Sequence, residues 1–151
     1  MTNDVTMTGT PEYDELLRVQ REAKQKIEQA GRSAVSALFR NFFAGNPEVK
    51  GVGWTQYTPH FNDGEPCEFG VGSFRYTTED LDFEDTAVWD EEQGWRDTYD
   101  KGKTKREREI REAVGGLYRA VDEDVFEAAF GDHVQIVAVP SGFHVTEYSH
   151  D

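Results

Sequence analysis

Cysteine is nearly absent from this 151-residue chain: Cys67 stands alone, which excludes an intramolecular disulfide and fits a reducing compartment. Long apolar runs are missing too, and none approaches the roughly 18 residues that a membrane span needs. The opening MTNDVTMTGTPEYDE has neither a basic nor an apolar leader region, so a cytoplasmic protein is expected. Bases are scarce. Sixteen Lys and Arg face thirty Asp and Glu, for a net charge of −14. Phosphate contacts demand a basic footprint, so direct nucleic-acid binding is not expected, and adhesion to anionic lipid is disfavoured for the same reason. There is no G-x-S-x-G, no phosphate loop ending in GK[ST], no G-x-G-x-x-G after a strand, no H-E-x-x-H, no paired C-x-x-C and no internal repeat.

Aromatic residues are plentiful. Ten Phe, six Tyr and three Trp supply the large buried surfaces that disordered acidic chains do not have, and the length suits one domain. Residues 1–10 are polar and aperiodic, so a disordered tail is expected there, followed by a single domain over 11–151. From Pro11 onward Leu16, Val19, Ala23, Ile27, Ala30, Ala34, Leu38 and Phe42 recur at steps of three and four, which predicts one apolar face of a long helix closed by Gly45-Asn46-Pro47. Val49 to Thr58 and Cys67 to Thr77 alternate as strands of a first hairpin, with Asn62-Asp63-Gly64 as its turn. A second helix opens in the basic run Lys101 to Arg111 and is weakened by Gly115-Gly116. Asp122 caps a third, Glu123 to Phe130, closed by Gly131. Val134 to Val139 and Phe143 to Tyr148, around Pro140-Ser141-Gly142, form a second hairpin. The expected class is α+β: an antiparallel sheet of about four strands in two hairpins, packed on one face against a long N-terminal helix and two shorter ones.

Chemistry has two candidate locations. The first is the connection Pro59 to Pro66, longer than a hairpin needs, with the C-terminus beside it if the hairpins share a sheet. Under an enzyme reading the residues are His60, Asp63, Cys67 and His150, because a cysteine nucleophile needs a base to make its thiolate and a third group to orient that base. Under a metal reading His60, Asp63, His150 and Asp151 form a mixed nitrogen and oxygen shell for a divalent ion. Against both, Cys67 at a strand start is the normal place for a small buried residue, and Asn62-Asp63-Gly64 is an ordinary turn former. His133 and His144 fall on the strands of the second hairpin, where a cross-strand packing or solvent-facing role is expected. Trp54, Tyr57, Phe61, Phe69, Phe74 and Tyr76 have too few interleaved bases for a single-strand stacking platform and read as core.

The second location is residues 79–100, with ten carboxylates and one base interleaved with Leu81, Phe83, Val88, Trp89, Trp95 and Tyr99. The acids alone suggest disorder, whereas the aromatics suggest packing against the body. Asp82, Glu84, Asp85, Asp90, Glu91 and Glu92 are candidate contacts for a basic partner, with Trp89 and Trp95 as anchors. The sharpest version of this reading is imitation of the DNA phosphate array, toward a nucleic-acid-binding protein. A merely solubilising surface is the competing explanation.

The block Trp54 to Cys67 (W-T-Q-Y-T-P-H-F-N-D-G-E-P-C), its approach Phe43 to Val52 and the ending E-Y-S-H-D resemble a group of small proteins encoded by tailed phages and occasionally by bacteria. The likeness spans about a third of the chain and omits the acidic segment. It implies a phage or prophage origin and an intracellular setting, and it brings no activity, cofactor or site residue. The functional expectation is therefore a non-enzymatic phage-type accessory protein that binds a protein partner through its acidic surface. The alternatives are a small enzyme or metal-binding domain at the 59–67 loop and C-terminus, and an assembly component self-associating through the first helix.

Overall fold

The computed structural model describes residues 10–59, 67–82, 86–99 and 102–149. Its first element, α1 (Pro11–Gly45), starts where Thr10 accepts a hydrogen bond from the Tyr13 N–H, with Pro11 in the first turn and Glu12 and Asp14 facing the positive end of the helix dipole. It ends at Asn46, whose side chain donates to the Phe42 carbonyl at 2.9 Å. Six strands follow among the described residues: β1 (Gly51–Tyr57), β2 (Gly70–Val71), β3 (Arg75–Thr77), β4 (Arg96–Asp97), β5 (Val134–Val139) and β6 (Gly142–Glu147). Helices α2 (Lys105–Ala120) and α3 (Glu123–Phe130) lie between β4 and β5. All pairings are antiparallel, in the order β4-β3-β1-β5-β6, with β2 also on β1. The α+β class holds, both hairpins share the sheet through the β1–β5 pair, and the strand number exceeds four. No helix among the described residues is long and apolar enough to cross a membrane.

The extra strands have a local cause. Pairing runs Gln56 with Val71, then Gly53 with Arg75, so three steps along β1 match four along its partner. One additional residue is a bulge, and it reverses the alternation that follows. Val71, Phe74 and Tyr76 thereby all face the helices, which strict alternation does not allow. Gly72 fits the break because its N–H donates to the Thr55 carbonyl at 2.8 Å, and a Cβ there would stand 3.1 Å from that oxygen. The single strand expected over Cys67 to Thr77 is thus two short ones, and 67–69 precede the first.

The main core lies between sheet and helices. Trp54, fully buried, stacks on Phe74 at 4.4 Å and Phe39 at 5.5 Å and meets Phe126 and Phe130 edge-on. Inside this apolar layer Gln56 is satisfied: it accepts from the Trp54 indole N–H at 3.0 Å and donates to the carbonyls of Phe126 and Gly131. Those last two bonds tie β1 to both ends of the α3 C-terminal turn.

Only the second half of α1 belongs to this core. Its buried residues are Gly31, Val35, Phe39, Phe42 and Phe43. The expected stripe is offset from that set, and Leu16, Val19 and Ile27 are 51%, 48% and 61% exposed. α1 meets α3 where Gly31 lets the helices approach and Arg32 donates to the Ala129 carbonyl at 2.6 Å. A 35-residue helix is roughly 50 Å long, more than the sheet can cover, so helical period alone selects a face with nothing opposite it.

The other face of the sheet is also covered, contrary to the expectation of helices on one face and water on the other. Val137 and Val139 of β5 pack there with Val88, Trp95 and the half-buried Leu81 from the acidic segment. β5 is buried along both faces, as its nearly unbroken apolar run now explains.

Candidate functional site

The acidic segment forms this third layer, and its seat is made by absences of side chain in β1. Gly51 and Gly53 alternate with the core-facing Val52 and Trp54, so both point to the outer face. A Cβ on Gly53 would collide with Val88, and one on Gly51 would stand 2.8 Å from Leu81 and 3.4 Å from Trp95. The Gly-x-Gly pair, uninformative as a phosphate signature, is a socket for Trp95 and Val88.

Hydrogen bonds fix the covering segment in register. Gln135, 6% exposed, accepts from the Val88 N–H at 3.2 Å and donates to the Thr86 carbonyl at 2.9 Å. Gln93 accepts from the Ala87 N–H at 2.9 Å. Asp90 caps a single tight helical turn, Glu91–Gln93, by accepting from the Glu92 N–H, and Gly94 closes it in the left-handed region at φ +91. β4 then pairs with β3, and Arg75 donates to the Trp89 carbonyl at 3.2 Å.

Glu79, Asp80, Asp82, Glu91 and Glu92 are exposed on this layer, while Asp90 and Asp97 are half-buried. Glu79, Asp80, Glu91 and Glu92 make no ion pair among the described residues. Glu79, Glu91, Glu92 and Asp97 rim one shallow hollow with Arg96, and Asp80 and Asp82 rim a second. Trp89 is 52% exposed and rests against Tyr148 at 5.6 Å, which in turn meets Tyr57 at 5.6 Å. Burial, and after it the neighbouring Tyr57, raise the Tyr148 phenol above its ordinary value. Trp95, expected as an exposed anchor, is instead 1% exposed and holds the layer from beneath. Glu84 and Asp85 lie outside the described residues.

Of the composite enzyme or metal site, His60, Asp63, His150 and Asp151 lie outside the described residues. Cys67 is partly exposed in an irregular stretch. The flanks of loop and tail do share one end of the sheet: Gln56 pairs with Val134, which pairs with Glu147, and the Tyr148 N–H donates to the His133 carbonyl at 2.8 Å. Among the described residues no group of three or more His, Cys, Asp or Glu is arranged to hold a metal ion. His133 precedes β5 at φ 55, and His144 lies exposed on β6.

Sequence reasoning missed Asp132 and the two glutamines. Asp132 accepts from the Thr58 N–H and hydroxyl at 2.8 and 2.6 Å and from its neighbour's N–H at 2.8 Å. Partial burial opposes its ionisation, but these bonds outweigh that and hold its carboxyl below the ordinary aspartate range. Gln56 and Gln135 were detectable as polar residues inside apolar strands, where each needs partners. Compared with known proteins, the chain matches no family model, no curated sequence and no solved structure.

Proposed function

We propose that this is a non-enzymatic accessory protein of phage type that docks a basic protein partner on the acidic layer over the outer face of its sheet. One observation carries the reading: the carboxylates ride on a segment anchored by Trp95 and Val88 and bracketed by Gln135, so their positions are set before a partner arrives. Preorganised charges lose little entropy on binding and steer encounter, whereas a solvated acidic loop has to be ordered first. Trp89 is an exposed aromatic within that field, the residue type that interfaces use as an anchor. The phage assignment rests on the sequence resemblance, and a nucleic-acid-binding surface is the sort of partner that such charge suits.

The test uses two variants. Glu79, Asp82, Glu91 and Glu92 are changed to their amides in one, and Trp89→Ala is made in the other. A protein captured from cell extract by the native chain is purified, and its binding is measured with all three by calorimetry at two salt concentrations. The reading predicts at least about tenfold weaker binding for each variant and a salt dependence that the amide variant loses. Equal binding by all three contradicts it. Cys67→Ser and His60→Ala should bind as the native chain does, and loss of binding there would favour the site at the loop.

A second reading, self-association, is favoured by the exposed Leu16, Leu17, Val19 and Ile27 of α1. α1 carries six Lys and Arg against five Asp and Glu, so it is the nearly neutral part of an acidic chain, where a second copy meets least repulsion. Light scattering after size exclusion tests this: a dimer that Leu16→Lys with Ile27→Lys dissociates supports it, and a monomeric native protein removes it.

A further inference from the structure

A concavity of a different kind opens where the acidic segment ends, against α2. An open cleft of about 730 Å³ runs between α2 and the residues flanking β3 and β4, and its charged lining, three arginines and one glutamate, is opposite in sign to the net charge of the chain. One face of α2 supplies Arg108, Arg111, Glu112, Gly115, Tyr118 and Arg119, at the three- and four-residue steps of a single helical stripe. Ser73 and Phe74 come from the bulge, and Thr98 and Tyr99 follow β4. Tyr99 is 79% exposed, whereas Tyr118 is braced edge-on against Phe74 at 5.4 Å.

Gly115 is the informative residue. Glycine in the middle of a helix is the poorest choice short of proline, and a side chain there would occupy the cleft. A Cβ on Gly115 would stand 3.2 Å from the Arg119 Nη1, so the Arg119 guanidinium lies back over the bare glycine, one turn toward Arg111. Neither Arg108 nor Arg119 forms an ion pair among the described residues, in a protein that has almost two acids for every base.

We propose that this cleft binds a small phosphate-bearing aromatic molecule of nucleotide size. Its volume falls in the usual range for such ligands. Arginine matches phosphate with paired donors, and a planar ring finds Tyr99 and Tyr118 for stacking. Ser73 and Thr98 hydroxyls and the Glu112 carboxylate serve the polar edge of the ring or sugar, since a carboxylate accepts only and repels phosphate. The charge of the whole chain decides the size of the ligand. Beyond a screening length of about 8 Å the acidic body repels a polyanion, but within the cleft the local arginines dominate for a small anion.

Calorimetric titration with AMP, GMP, CMP and UMP, with inorganic phosphate, adenosine and a glutamate-rich dodecapeptide alongside, tests the proposal. At least one nucleotide should bind, more tightly than phosphate or adenosine alone. Arg111→Ala and Arg119→Ala should each weaken it at least about tenfold. Gly115→Leu should abolish binding while Tm holds or rises, because leucine is the better helix former. Gly116→Ala, outside the cleft, should raise Tm and leave binding intact. No nucleotide binding at ~10 mM overturns the proposal, as does phosphate or adenosine matching the nucleotides, or the peptide binding in their place. Native-like binding by Gly115→Leu overturns the location.

Discussion

At Gly53 the absence of a side chain decides whether the outer layer can close, since the nearest atoms to a Cβ there belong to Val88 and Trp95. Gly53→Val should therefore cost about 1–3 kcal/mol through overpacking and raise hydrogen exchange in residues 86–97 while leaving β5 and β6 protected. Equal loosening of both regions would show that the glycine serves the whole sheet. Trp95 offers a sharper contrast, because its indole N–H has no partner among the described residues. Trp95→Phe loses no hydrogen bond and should be mild, whereas Trp95→Ala should cost about 3–5 kcal/mol from the cavity it leaves. Thermal or urea unfolding of the two measures this, and similar losses would mean that the indole nitrogen is bonded in solution. Gln56→Ala leaves the Trp54 indole N–H without its acceptor and takes a donor from the Phe126 and Gly131 carbonyls, for a loss on the order of 3 kcal/mol.

Elements were legible where one period served one partner surface. The third helix, Glu123–Phe130, and the strand Val134–Val139 lie where the sequence predicts them: Gly131 closes the helix at φ +89 and an apolar run broken by Gln135 alone fixes the strand, whereas the Asp122 side chain, expected as the cap, makes no capping hydrogen bond. α1 was legible as a helix and misread as a face: Leu16 and Ile27 satisfy the helical period but have no opposite surface, whereas Val35 and Phe39 do. Leu16→Ala and Ile27→Ala should shift Tm by no more than about 2 °C, and Phe39→Ala by roughly 10 °C, when measured by circular dichroism. The turn that follows α1 is also tied to α2 by charge, since Arg106 donates to both Glu48 oxygens at 2.6 and 2.8 Å and to the Asn46 side chain at 3.1 Å. The hydrogen bonds from Arg106 hold the Glu48 carboxyl at about 2, below the usual 4.5. A depressed carboxyl stabilises the fold above its unfolded value, and that contribution is lost as pH falls from about 4.5 to about 2. Over that window Glu48→Gln should lose Tm less steeply than the native protein, and identical slopes would show that the pair contributes nothing in solution.

For the whole molecule, the sheet is an inner layer between two unlike coverings, helices on one side and an acid-bearing segment on the other. Packing of the segment on the body was legible from its aromatics, but its place on the outer face was not, because its apolar residues follow neither a strand nor a helix period and its seat is built by Gly51, Gly53, Val137 and Val139, far away in sequence. The common neighbourhood of the first hairpin's end and the tail was legible and stands in the Tyr57–Tyr148 contact. The functional account depends on the carboxylates being held rather than tethered. Amide hydrogen exchange of the free protein resolved over residues 86–97 measures this directly. The account predicts that Val88, Gln93 and Gly94, whose N–H groups are hydrogen-bonded within or beneath the layer, exchange orders of magnitude more slowly than an unfolded chain, approaching β1. Exchange of the whole segment at the unfolded-chain rate, with β1 and β5 still protected, would contradict it.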